Sequence, residues 1–87
     1  MDPDPASLRH PLEERWRRKL RLARDRYEAA AARFQVAVDE NTVAPTSEGS
    51  LTVRQARAAE SVALKEYMKT LRIFGDLVVR GTMPQGE

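Results

Sequence analysis

The chain has 87 residues, of which 41% are hydrophobic and 32% charged, with a formal net charge of +2 and no cysteine. A chain this short forms one domain with a thin core, burying about 60 to 65% of its unfolded surface. Without thiols, disulfide staples and thiolate metal sites are excluded, so stability has to come from packing or association.

The opening MDPDPASLRH puts acids and prolines where a secretory signal would put a basic start and an apolar run. Nowhere does the chain approach the roughly 18 uninterrupted apolar residues of a membrane span. These features lead to the expectation of a soluble, cytoplasmic protein with no membrane partner. Residues 1–87 are expected to form a single helical-hairpin domain with frayed tails at 1–9 and 82–87.

His10-Pro11-Leu12-Glu13-Glu14 predicts a helix start, because proline suits the first helical position and acids suit the positive end of the helix dipole. From there to about residue 40, Trp16, Leu20, Ala23, Tyr27, Ala30, Phe34 and Ala37 recur at alternating spacings of four and three, the seam of a helix packed on another helix. Asn41 to Ser50, NTVAPTSEGS, gathers turn-forming residues and predicts a loop over 41–51. A second helix is expected over 53–80. Thr52 would cap it, with Gln55 reaching back in a capping box and Leu51 stapled onto Ala56. Its stripe reads Ala56, Ala59, Ala63, Leu64, Tyr67, Leu71, Phe74, Leu77 and Val78, ending at a Gly81 cap with Pro84 beyond. Gly75 interrupts this helix at a cost of about 1 kcal/mol relative to alanine. Its missing side chain is expected to make room for the Trp16 indole or a neighbouring helix, with a break at Asp76 as the alternative.

The expected fold is therefore all-α: an antiparallel two-helix hairpin, helices about 11–40 and 53–80, that completes a four-helix bundle by dimerisation. Folding at the loop brings Ala37 to Ala56, Ala30 to Ala63, Tyr27 to Tyr67, Leu20 to Phe74 and Trp16 to Leu77. Each helix also carries a second apolar face. Ala31, Leu22, Val36 and Val38 flank the first seam, and Val62, Met68, Ile73 and Val79 flank the second. A homo-oligomer, a dimer before all, is the natural way to cover them. The candidate self-association residues are Trp16, Leu22, Val36, Val38, Val62, Met68, Ile73, Phe74, Leu77 and Val79.

Charge divides along the hairpin. Residues 9–26 hold eight basic and three acidic side chains and residues 65–80 four and two, whereas residues 27–50 hold one and four. The open end is basic and the loop end acidic, which favours laying one hairpin's open end over another's loop end. RWRRKLRLARDRY, residues 15–27, raises nucleic acid as an alternative partner, through Arg15, Arg17, Arg18, Arg21, Arg24, Lys69, Arg72 and Arg80. A phosphate-binding strip of this kind would show steeply salt-dependent affinity. Its basic groups surround the helix instead of forming one strip, and Glu13, Glu14 and Asp25 lie within a turn of them, so a solvated helix back is the favoured reading.

Nothing assembles an enzyme. His10 stands without a second histidine or thiol for a metal or catalytic pair. Asp39, Glu40 and Glu48 lack calcium-loop spacing. The loop serines and threonines have neither a histidine base nor a glycine-rich phosphate cradle. No cofactor is expected. The function so read is that of a non-catalytic interaction or scaffold module that self-associates, with a protein partner also possible.

Overall fold

A computed structural model describes residues 5–84, which form two helices, α1 over Pro5–Val43 and α2 over Ser47–Arg80, packed against each other as a hairpin. No strand occurs among the described residues.

Both helices are longer than the sequence pattern predicts. α1 starts six residues earlier, at Pro5, and runs straight through Pro11. Proline at the first position loses nothing. Pro11, the seventh residue of α1, has no N–H to donate one turn back, so the helix forgoes one backbone hydrogen bond there. The expected tail over 1–9 is thus helical from residue 5, and residues 1–4 lie outside the described residues, as do 85–87. His10 is exposed on α1.

The loop over 41–51 shrinks to Ala44, Pro45 and Thr46. Thr46, not Thr52, caps α2: its backbone is extended and its Oγ1 accepts a hydrogen bond from the Gly49 N–H at 2.8 Å. Glu48 adds a carboxylate to the first turn, where the helix dipole favours it. Asn41 Oδ1 accepts from the Thr46 N–H at 3.3 Å, tying the end of α1 to the cap. A Cβ on Gly49 would sit 2.5 Å from that Asn41 oxygen, so glycine is what lets the cap and the tether coexist. Thr52 lies one turn inside the helix and donates to the Glu48 carbonyl at 3.0 Å. No capping box with Gln55 forms, and Leu51 is exposed. At the other end Gly81 adopts the left-handed conformation (φ 68°) and donates to the Leu77 carbonyl at 3.1 Å, the expected cap.

The α1 seam is as predicted: Trp16, Ala23, Ala30 and Ala37 are buried, and Leu20, Tyr27 and Phe34 half-buried. On α2 the inner positions are Ala56, Glu60, Ala63, Tyr67, Thr70, Phe74 and Leu77. Glu60 and Thr70 thus replace Ala59, Leu64, Leu71 and Val78, all of which are exposed. Thr70 is tolerated there because its hydroxyl donates to the Glu66 carbonyl at 2.8 Å.

Tyr27 and Tyr67 stack with ring centroids 6.1 Å apart and an interplanar angle of 26°. This fixes the register: Ala37 lies level with Ala56, Ala30 with Ala63, Ala23 with Thr70 and Trp16 with Leu77. Small layers therefore alternate with the bulkier levels of Phe34, Tyr27 and Leu20. Leu77 is the one large side chain fully enclosed, at 0% exposure, among the described residues.

α2 continues unbroken through Gly75, and a Cβ built there would meet nothing within 4 Å. Neither the Trp16 indole nor any other part of the hairpin needs that space. The whole is a rod of 68 × 17 × 16 Å with a radius of gyration of 18.6 Å. A compact chain of this length would have about 12 Å.

Candidate interaction surface

A two-helix rod has two long faces. On one, Arg17, Leu20, Arg21 and Arg24 from α1 and Tyr67 from α2 line a groove of about 210 Å³. Leu64 and Leu71 stand one helical turn either side of Tyr67 and border the same face. On the opposite face, Trp16, Lys19, Leu22 and Arg26 face Glu66, Lys69 and Ile73 across a groove of about 280 Å³. Lys19 Nζ lies 4.3 Å from the Trp16 ring centroid, a cation–π contact that covers the indole. The Trp16 Nε1–H is buried without a hydrogen-bond partner among the described residues, an arrangement that costs about 1 to 3 kcal/mol. Packing of the large ring has to offset it.

The hairpin claims three of the expected self-association residues for itself. Trp16 and Leu77 are buried, and Phe74 is half-buried with the Arg17 guanidinium 5.7 Å from its ring centroid. Val38 and Ile73 are half-buried. Leu22, Val36, Val62, Met68 and Val79 are at least half exposed. They do not form one patch: Leu22 lines the groove beside Trp16, Val36 lies two helical heptads farther along α1, and the rest are on α2.

Leu64, Leu71 and Val78 face outward, not inward, and belong to one continuous row. Together with Ser61, Met68 and Gly75 they recur at alternating spacings of three and four along α2, a second helix-packing seam with no helix on it. Exposed neighbours of the wrong period do not explain such a row. The signal was present in the sequence, because Leu64, Leu71 and Val78 each follow an inner position by one residue and the stripe was simply too wide for one partner.

The candidate basic residues are dispersed. Arg17 pairs with Glu14, and Arg24 Nε lies 3.9 Å from Glu28 and 4.0 Å from Asp25. Arg15 is engaged within the chain. Arg17, Arg21 and Arg24 share one groove, Lys69 and Arg72 come together with Lys65 around Met68 on α2, and Arg18 and Arg80 are exposed elsewhere. Among the described residues no three His, Cys, Asp or Glu side chains gather to hold a metal ion, and no helix is long and apolar enough to cross a membrane.

No protein-family model, curated protein or solved structure matches this chain.

Proposed function

We propose that this protein is a non-catalytic, cytoplasmic interaction or scaffold module whose hairpins associate, as a homodimer, into a four-helix bundle of coiled-coil type. The observation that carries the reading is the pattern of burial. Among the described residues five hydrophobic side chains are buried, three of them alanines, while Leu22, Val36, Val62, Met68, Leu71 and Val79 stand substantially exposed along both helices. Full burial of each Val, Leu or Met contributes about 1.5 to 3 kcal/mol. That is large beside a domain's net stability of about 5 to 15 kcal/mol.

The area points the same way. The chain exposes 6886 Å², whereas a compact monomer of its mass exposes about 5200 Å². The surplus exceeds the roughly 800 Å² that each partner contributes to a standard stable interface. Nucleic acid fits less well, since two of the arginines already hold carboxylates and the remaining basic groups point in several directions.

Light scattering on the purified protein tests the reading. A mass of twice the chain's 9.9 kDa at micromolar concentration supports it. A single-chain mass that persists into the hundreds of micromolar, with no copurifying protein, overturns it.

A further inference from the structure

We infer that a second copy of this chain docks antiparallel on the outer seam of α2, about a two-fold axis passing between Met68 and Leu71, with Leu64 of each copy entering the gap above the partner's Gly75. The inference rests on the self-association proposed above and adds its interface and register.

The outer seam consists of Ser61, Leu64, Met68, Leu71, Gly75 and Val78, of which Leu64, Met68, Leu71 and Val78 are 36, 60, 47 and 42% exposed. Gly75 is the informative member. A glycine in a helix interior carries an intrinsic penalty, and here, apart from its chain neighbours and the local helix backbone, nothing lies within 4 Å of where a Cβ would be. Its neighbours one turn away are Leu71, Arg72, Val78 and Val79, so it forms a notch in a largely apolar surface bordered by one arginine.

Size complementarity then selects a register. With the axis between Met68 and Leu71, each Met68 lies opposite the partner's Leu71, each Leu64 opposite the partner's Gly75 and each Ser61 opposite the partner's Val78. Every large side chain meets a small one or a matching flexible one, as knobs-into-holes packing requires. A self-complementary patch of this kind is what a two-fold interface needs.

Charge on α1 is compatible with the same register, whereas on α2 Lys65, Lys69 and Arg72 surround Met68 beside the axis. The Tyr27–Tyr67 stack places this axis level with the middle of α1. Arg21 lines the groove on this face beside Arg24, whose ion-pair partner is Glu28. Arg21 and Glu28 lie on opposite sides of the axis level, so each Arg21 comes near the partner's Glu28. The basic open end of each hairpin also comes to lie over the acidic loop end of the other.

Because the chain lacks cysteine, the register is directly testable by cross-linking. Full-length chains carrying Leu64→Cys and Gly75→Cys are mixed and oxidised. The inference expects a disulfide joining the two different chains well above the homodisulfide formed by either alone. It also expects Arg21→Glu to raise the dimer dissociation constant about tenfold, with Arg21→Glu combined with Glu28→Arg restoring it at unchanged helix content. A wild-type dimer whose cysteine variants give only homodisulfides, or whose charge swap fails to restore assembly, overturns this interface while leaving self-association standing. A wild-type chain that stays monomeric overturns both.

Discussion

At the scale of single residues, Thr46 and Thr52 both resemble helix caps, and surroundings distinguish them. Thr46 is extended and receives the Gly49 N–H, whereas Thr52 already lies inside the helix and bonds back to Glu48. Thr46→Ala should therefore lower stability by about 1 kcal/mol in urea unfolding. Thr52→Ala should change it by less than about 0.5 kcal/mol. The position of the cap was not legible beforehand because Gly49 reads as a turn residue, and only its approach to Asn41 reveals that it belongs to the helix. Gly75 supports a second expectation. In dilute solution, where chains are single, Gly75→Ala should gain up to about 1 kcal/mol, since the added methyl meets open space. Gel filtration at high concentration should show the same variant assembling less tightly, because that methyl fills the gap proposed to receive the partner's Leu64.

At the scale of elements, α1 was the readable helix. Its seven seam residues keep the alternating spacing of four and three, the flanking Leu22, Ala31, Val36 and Val38 are too scattered to be mistaken for it, and Tyr27 comes to rest on Tyr67 as the fold-back implied. α2 carries two apolar rows side by side, so a hydrophobic pattern alone merges them and promotes Leu64, Leu71 and Val78 over Glu60 and Thr70. Polar side chains on an inner row cannot be found by looking for apolar ones. They become visible only when burial separates the rows. The small layers supply the element-scale prediction: Ala30 is buried in the seam between the two helices, where a larger group has to push them apart. Ala30→Leu should destabilise the hairpin by about 1 to 3 kcal/mol through overpacking. Thermal unfolding of that variant measures the loss, and an exposed control such as Ala32→Leu should show little change.

At the scale of the whole molecule, the rod shape governs behaviour. A shape of 68 × 17 × 16 Å cannot enclose many side chains, and association changes stability by mass action. The melting temperature should therefore climb by several degrees for a hundredfold rise in protein concentration. Differential scanning calorimetry at two concentrations checks this, with a concentration-independent transition counting against assembly. The overall class, an all-helical hairpin, follows from the sequence because periodicity and one proline-containing break define it. The identity of the covering partner does not, because exposed apolar rows specify a contact only when paired with the shape of what meets them.

The three-residue connection has a kinetic corollary. Alanine layers that repeat every seven residues would let two unlinked helices slide by a heptad at small penalty, but a joint without slack removes that freedom. Chain reversal at Ala44–Thr46 brings Ala37 and Ala56 together first, across the smallest span of backbone, and each later layer closes only a slightly larger loop. The protein should accordingly zip from its acidic tip toward Trp16, making its short-range contacts before its long-range ones, the order that favours rapid folding.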